Sequence, residues 1–250
     1  MKDIQEKVFW EIHSDNPREG PGSSESTRTA YMLCRNLPDK SEILDIGCGP
    51  GQQSLDLTDL NNGHIYAVDY YPSMLKQLKR RIREKSKENR FSLILADMNH
   101  LPFCNNHFDL IWAEGSIYNM GFENGLTSWY HYLRQNGYLA ITEISWLKKN
   151  PPDSLHQFWN ENYPSMKHFN QNIKSIKQCG YKLIDSFELP ASDWWDVYYK
   201  AVSDKIDMLR KKYSSEPDAL NILEFEGQEI NFYKNYYQWY GYVFYIAQKI

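Results

Sequence analysis

Short apolar runs alternate with amphipathic segments between residues 42 and 146, and this alternation constrains the fold more than any other feature. The runs predicted to be strands are 42–46, 64–69, 91–96, 108–113 and 138–144. Apolar residues recur at helical spacing between them, as they do at Met74, Leu75, Leu78 and Ile82. Strands that alternate with helices form right-handed crossovers and a parallel sheet. The strands are almost uniformly apolar, which indicates that helices cover both faces of the sheet.

The flanking regions predict further helices and two more strands. Before the first strand, the pattern favours helices over 4–13 and 24–36, separated by a loop rich in Gly and Pro. After the fifth strand, residues 151–164 are polar and aromatic without a clear period. Beyond them, the sequence predicts a helix over 166–179, a strand over 181–189, helices over 192–213 and 218–240, and a final strand over 241–248. A helix is also predicted over 122–134, just before the fifth strand.

The composition fits one elaborated globular unit and disfavours several classes of partner. The 250 residues carry a net charge of −4 without a block of Lys and Arg, which disfavours binding to nucleic acid. No apolar stretch is long enough to span a bilayer, and the acidic N-terminal segment is unlike a secretory signal. The four cysteines form no CxxC pair, so neither a zinc site nor a disulfide framework is expected. We therefore expect a cytoplasmic protein without a nucleic-acid or membrane partner.

The glycine-rich bend between the first strand and the first helix is the most informative segment. It reads Gly47-Cys48-Gly49-Pro50-Gly51. Glycines let the backbone approach a ligand closely, and the free N–H groups of the following helix favour anionic groups. Asp69 ends the next strand, where a carboxylate can hold both ribose hydroxyls of a nucleoside cofactor. The alternative is a purely structural turn with a surface aspartate, which does not account for the whole combination.

The spacing within this bend distinguishes between nucleoside cofactors. A dinucleotide fingerprint requires Gly at position 52, where this chain has Gln52. The G-x-G-x-G spacing, with Asp45 two residues before Gly47, resembles the signature of class I S-adenosylmethionine (SAM)-dependent methyltransferases over roughly residues 41–145. That resemblance implies SAM as the cofactor and S-adenosylhomocysteine (SAH) as its product. SAM carries a carboxylate, an ammonium and a sulfonium rather than a pyrophosphate.

The resemblance also implies a set of contacts along the strand ends. Asp97 matches the acid that accepts from the adenine amino group, and the Met98 N–H then reads a ring nitrogen. Glu114 is the candidate for the cationic end of the cofactor, although it could instead brace its loop. The expected cofactor-binding residues are Asp45, Gly47, Cys48, Gly49, Gly51, Asp69, Tyr70, Asp97, Met98 and Glu114. The N-terminal loop adds the candidates Arg18, Gly22 and Ser23, for which a plain interhelical loop is the alternative.

The whole chain resembles an uncharacterised bacterial branch of the small-molecule "type 11" methyltransferases. The likeness is carried by the loop at 20–23, the segment EGSIYNMGFENG at 114–125 and the terminal YGYVFYI at 240–246. It implies an α/β fold with a doubly wound, seven-stranded, mostly parallel sheet, an antiparallel last strand and an α-helical cap. The expected divisions are 1–145 for the N-terminal helices and the Rossmann-like SAM-binding core, 146–240 for an insert with the sixth strand and an aromatic helical cap, and 241–250 for the final strand.

The function implied by the resemblance is transfer of a methyl group from SAM to a small molecule by SN2 displacement. A SAM-binding module without catalysis and a nicotinamide-dependent oxidoreductase are the alternatives. A general base is needed only for some acceptors, and none stands out here. Glu114 and Tyr118 are the catalytic candidates, and no metal site is expected. We expect a monomer or homodimer with a small-molecule substrate.

Aromatic residues make up 15% of the chain, and many of them follow residue 145. They could line a substrate chamber, because an apolar wall with few polar anchors is the usual form of a small-ligand pocket. They could equally pack the cap against the sheet. The aromatic side chains in question are Trp146, Phe158, Trp159, Tyr163, Trp194, Trp195, Tyr198 and Tyr199.

Overall fold

The computed structural model describes residues 2–250, and within them a single twisted sheet forms the centre of the molecule. Its strands are β1 (Glu42–Ile46), β2 (His64–Asp69), β3 (Phe91–Leu95), β4 (Phe108–Ala113), β5 (Leu133–Trp146), β6 (Lys167–His168), β7 (Tyr181–Glu188) and β8 (Tyr240–Lys249). Their order is β3-β2-β1-β4-β5-β8-β7, and the two-residue β6 pairs with the end of β5. Strands β1 to β5 are parallel, whereas β8 runs antiparallel to β5 and β7. The predicted mostly parallel sheet with an antiparallel last strand is therefore confirmed.

Helices cover both faces of this sheet and form an additional layer beside it. They are α1 (Lys2–His13), α2 (Ser24–Leu33), α3 (Gln52–Leu60), α4 (Pro72–Glu84), α5 (Phe122–Tyr130), α6 (Asp153–Asn162), α7 (Phe169–Gln178), α8 (Ala191–Trp194), α9 (Lys200–Lys212) and α10 (Pro217–Tyr236). A π-helical turn, Trp195–Tyr199, joins α8 to α9. Across residues 2–250, none of the helices combines the length and apolar character needed to cross a membrane.

The sheet has two apolar faces because successive side chains of a strand point to opposite sides. Leu44 and Ile46 of β1 belong to a core that includes Trp129 of α5. Ile43 of the same strand belongs to the opposite core, together with Leu78 of α4. These residues are at most 1% exposed. Burial on both faces explains why the strands are almost uniformly apolar.

Three predicted helices end earlier than their periodicity suggested, and one of them, predicted over 218–240, ends at Tyr236 because Tyr240 begins β8. The helix predicted over 24–36 ends at Leu33, and Cys34 leaves the helical conformation with φ −82° and ψ 63°. The helix predicted over 122–134 ends at Tyr130, because β5 begins at Leu133 and pairs there with Phe108. In the helix predicted over 122–134, strand pairing overrides the local helical pattern.

The segment after β5 contains structure that its composition did not reveal. The stretch 151–164 forms α6, although no element was predicted there. Helices α1, α9 and α10 share a small core of their own, in which Val8, Ile12, Ile206 and Leu223 are buried. Strands β7 and β8 join the same sheet as β1 to β5, and the predicted divisions at residues 146 and 241 stay a prediction.

Candidate active site

A cavity of about 540 Å³ lies at the carboxyl ends of the parallel strands. Open α/β sheets bind ligands at this edge, where loops from neighbouring strands diverge. One half of the cavity is formed by those loops and includes Gly47, Gly49, Asp69, Asp97, Met98 and Gly115. The other half is formed by the turn after β4 and by the helical layer. We call these the loop half and the helix half.

The glycine bend is fixed on two sides and open on the third. The N–H groups of Gly47 and Cys48 both donate to the carbonyl oxygen of Val68, at 2.9 Å each. At Gly51, with φ +82°, an added Cβ would lie 2.2 Å from a methyl carbon of Leu78, so the bend packs tightly against α4. At Gly49, the nearest atom to such a Cβ would be Glu19 Cγ at 3.9 Å. The bend therefore presents its open side to the cavity at Gly49.

Asp69 connects the end of β2 to this bend. Its Oδ2 accepts from the N–H of Gly49 and its Oδ1 from the N–H of Tyr71, both at 2.8 Å. Burial raises the pKa of this carboxyl, and the two backbone N–H groups oppose the shift. A carboxylate has about four lone-pair positions, so acceptor capacity remains for a ligand in the cavity. Both the position and the remaining capacity suit a pair of ribose hydroxyls.

Asp45 lies behind the bend rather than in the wall of the cavity. It is fully buried, and its Oδ2 accepts a short hydrogen bond from the Ser54 hydroxyl. Its Oδ1 has no hydrogen-bond partner within residues 2–250. Burial raises the pKa of this carboxyl to about 7. The visible role of Asp45 is to tie β1 to the first turns of α3, and direct contact with a cofactor stays a prediction.

Three other expected contacts lie where β2 and β3 end. Tyr70, Asp97 and Met98 all line the cavity. Asp97 accepts from the backbone N–H of Asn99 at 2.8 Å and from its side chain at 2.7 Å, and these bonds lower the pKa of Asp97. The Met98 carbonyl accepts from the indole of Trp129 at 3.4 Å.

Arg18 and Glu114 form a buried ion pair that sequence reasoning did not connect. Arg18 Nη1 donates to Glu114 Oε2 at 2.6 Å, and Arg18 Nη2 donates to Asp56 at 2.7 Å. Glu114 Oε1 accepts from the Thr27 hydroxyl and the Trp112 indole, each at 2.9 Å. Burial raises the pKa of Glu114, and the Arg18 charge opposes that shift. The arginine therefore compensates the charge that was expected to attract the cationic end of a cofactor.

This ion pair borders a small side cavity of about 60 Å³, which Cys48 and Gly115 also line. Gly22 packs behind the pair, because a Cβ there would lie 2.9 Å from Glu114 Oε2. Ser23 begins α2 and accepts from the N–H of Ser26 at 3.1 Å. Arg18, Gly22 and Ser23 thus hold the N-terminal loop against the end of β4.

Tyr118 lies on a short turn after β4 and lines the helix half of the cavity. Its ring meets that of Tyr163 edge-on, with 6.2 Å between centroids. Of the eight aromatic residues considered for a chamber, Tyr198 is the one that lines this cavity. Trp194 instead stacks on Tyr233 at 4.2 Å and on Tyr242 at 5.3 Å, within the core of the cap. Packing is therefore the main role of these aromatic residues.

Sequence reasoning missed most of the helix half. Phe9, Trp10 and His13 of α1 line it, as do Glu226 and Glu229 of α10. The two glutamates are three residues apart and so share one face of their helix. That spacing was visible in the sequence, but nothing in it indicated that α10 faces the glycine bend.

The architecture is that of the class I methyltransferase fold, with the cavity at the strand ends. A SAM-dependent methyltransferase from Geobacter sulfurreducens, solved in complex with SAH, superposes with a TM-score of 0.83 at 16% identity and covers 98% of each chain. Residues 43–137 match the family model described as a methyltransferase domain. The chain therefore contains a match to a methyltransferase domain and has the class I methyltransferase fold.

Two relatives illustrate the range of similarity. Methyltransferase GfsG of Streptomyces halstedii is 32% identical over 104 residues, which are 41% of this chain and 37% of that protein. The phosphoethanolamine N-methyltransferase of Plasmodium falciparum is 23% identical over 218 residues, which are 84% of this chain and 79% of that protein. The chain thus spans little more than a third of the first relative and most of the second.

Proposed function

We propose that this protein transfers a methyl group from SAM to a small-molecule acceptor. One observation carries the proposal: Asp69 accepts from the N–H of Gly49 where the bend opens onto the 540 Å³ cavity. The open side of Gly49 and the remaining acceptor capacity of Asp69 fit an adenosyl group. A cavity of this size is within the usual range for small ligands, roughly 300–1,000 Å³.

The residues around the loop half suit the cofactor. Asp69 would hold the ribose hydroxyls, Asp97 the adenine amino group, and the Met98 N–H a ring nitrogen. The methionine end would lie toward Gly115 and the Arg18–Glu114 pair, where the side cavity begins. The match of residues 43–137 to a methyltransferase domain and the SAH complex of the similarly folded Geobacter sulfurreducens protein support this assignment.

The bound donor supplies a methyl carbon that is already activated by a positively charged sulfur. The protein has to align an acceptor with that carbon and exclude water. Proximity and orientation alone can contribute roughly 7–11 kcal/mol to such a reaction. Tyr118 lines the helix half, where its ring can help to orient the acceptor. Residues of α1 and α10 line the remainder of the cavity wall.

Binding and turnover test this proposal in sequence. SAM and SAH are expected to raise the unfolding temperature of the wild-type protein, whereas NAD is not. Release of SAH should then be measured across a panel of small acceptors. Stabilisation by SAM without turnover on any acceptor would favour a non-catalytic SAM-binding module. Stabilisation by NAD alone would favour the oxidoreductase alternative.

The proposal also includes the cellular location and the oligomeric state of the protein. We propose a cytoplasmic protein that acts as a monomer or homodimer. Within residues 2–250 the four cysteines are free thiols, which fits a reducing compartment. Light scattering coupled to size-exclusion chromatography measures the assembly, and cell fractionation measures the location.

A further inference from the structure

The helix half of the cavity is both acidic and aromatic. Glu226 and Glu229 of α10 line it together with His13, the last residue of α1. Glu19, which lies in the loop after α1, also lines the cavity. His13 Nδ1 donates to Glu19 Oε2 at 2.8 Å, and its Nε2 lies 3.8 Å from Glu226 Oε1. Glu229 accepts from the Tyr199 hydroxyl at 2.9 Å. Three carboxyl groups therefore share the wall with one imidazole.

The positive charges present do not balance these carboxyl groups. Burial opposes the charge on His13, but its bond with Glu19 and the nearby Glu226 carboxylate raise the pKa of the imidazole to about 9. His13 supplies one positive charge beside the three carboxyl groups. Lys205 supplies a second near Glu19, while its ammonium donates to the carbonyl oxygens of Ile12 and Ser14, so the carboxyl groups still outnumber the cations. Burial and the charge of Glu226 raise the pKa of Glu229 to about 7, and the Tyr199 hydroxyl and His13 only partly oppose this shift.

Two polar atoms in this wall have unused bonding capacity. His13 Nε2 and Glu19 Oε1 have no hydrogen-bond partner within residues 2–250. Both residues line the cavity, and His13 is 7% exposed. Unpaired buried polar atoms are costly, so a change of side-chain position or a bound partner that satisfied them would be favourable.

Flat aromatic faces surround the acidic groups. Phe9, Trp10, Tyr118 and Tyr198 line the same half of the cavity. A cation over an aromatic face gains about 0.5–2 kcal/mol, and desolvation strengthens the interaction. Carboxylates combined with aromatic faces favour a compact cation over a neutral or anionic molecule. The cavity must hold the cofactor as well, so the second ligand has to be small.

We propose that the methyl acceptor is a small amine, which enters as its ammonium form and is held by Glu226, Glu229 and the surrounding aromatic rings. This inference rests on the proposed methyl transfer. The ammonium first gives a proton to the Glu229 carboxylate. The free amine nitrogen then forms a bond to the methyl carbon as the bond from carbon to sulfur breaks, and sulfur keeps the electron pair. The products are the N-methylated ammonium and neutral SAH.

Binding of a permanent cation tests the proposal without requiring turnover. Choline and its neutral carbon isostere, 3,3-dimethylbutan-1-ol, should be titrated into SAH-loaded protein. We expect choline to bind at least about tenfold more tightly, which corresponds to ~1.4 kcal/mol. Glu229→Gln and Glu226→Gln should each remove most of that preference. Glu224→Gln is the matched control, because Glu224 lies on the same helix with its side chain 64% exposed.

Equal or weaker binding of choline by the wild type would overturn the amine proposal. The affinities of the variants for SAM serve as the second measurement, since SAM also carries positive charge. We expect Glu229→Gln to change the SAM affinity by less than about twofold, because a distant ionic interaction is weak in a hydrated cavity. Loss of SAM binding without loss of the choline preference would assign these carboxylates to the cofactor. Wild-type protein that binds no SAM would instead contradict the proposed function itself.

Discussion

At the scale of single residues, Asp69 performs two tasks with one carboxylate. It accepts from the N–H of Gly49 and of Tyr71, so it fixes the shape of the bend. It also lines the cavity, where it can accept from a ligand. A group that shapes its site and contacts the ligand is pre-organised, because its position is set before the ligand arrives.

We expect Asp69→Ala to weaken SAM binding at least about tenfold, because a ligand acceptor and two loop acceptors disappear together. The loss of the loop bonds should also lower the free energy of unfolding by about 1–3 kcal/mol. Calorimetric titration with SAM and urea denaturation measure the two effects. Asp59→Ala is the control, because that side chain is 68% exposed and pairs with Lys87 on the surface. Unchanged SAM affinity in Asp69→Ala would remove this carboxylate from the site.

At the scale of elements, the bend contains two glycines that look alike in the sequence but are needed for different reasons. Gly51 is required by packing against Leu78 of α4, whereas Gly49 has open space on its cavity side. Both have positive φ, at +82° and +53°, so a side chain is strained at either position. The two positions differ in the space that is available to a Cβ, which is filled by Leu78 at Gly51 and open at Gly49.

Gly51→Ala should therefore cost more stability than Gly49→Ala. Overpacking costs about 1–3 kcal/mol, in addition to about 1–2 kcal/mol for the left-handed backbone. Gly49→Ala should cost the backbone contribution alone, about 1–2 kcal/mol, yet its methyl group should obstruct the cofactor. Urea denaturation and SAM titration of both variants provide the measurements. A larger loss of stability in Gly49→Ala would show that the bend packs differently.

At the scale of the whole molecule, several buried groups hold more protons in the folded state than in the unfolded chain. Burial raises the pKa of Glu143 to about 8 and that of Asp45 to about 7. Glu229 is raised to about 7, and His13, despite its burial, to about 9. Each group gives up its proton at a lower pH once the chain unfolds. The folded state is therefore favoured at low pH within this window, and its advantage declines as pH rises.

We expect the free energy of unfolding to fall by roughly 2–5 kcal/mol between pH 6 and pH 9. Glu143→Gln should reduce this slope, because Glu143 is only 2% exposed and its Oε1 accepts from the Tyr163 hydroxyl at 2.7 Å. Urea denaturation at pH 6, 7.5 and 9 measures the slope in both proteins. Stability that increases with pH, or a variant with the wild-type slope, would contradict this account.

Much of the core could be predicted from the sequence, because its signals are local. The bounds of β1, β2 and β4 agree with the predicted strands, since runs of apolar residues bounded by turns suffice to define them. The bend at 47–51 and the acid at 69 were also identified, because backbone geometry at a strand end depends on nearby residues. The antiparallel last strand followed from family resemblance and is confirmed.

Only the tertiary structure decided what surrounds the helix half of the cavity. Glu226 and Glu229 lie more than 170 residues from the bend in the chain, and no periodicity indicates that α10 faces it. The pairing of Arg18 with Glu114 and the burial of Asp45 behind the bend likewise depend on how distant segments pack. A local pattern specifies which faces of an element are apolar, whereas the choice of partner for each face depends on the free energy of the complete assembly.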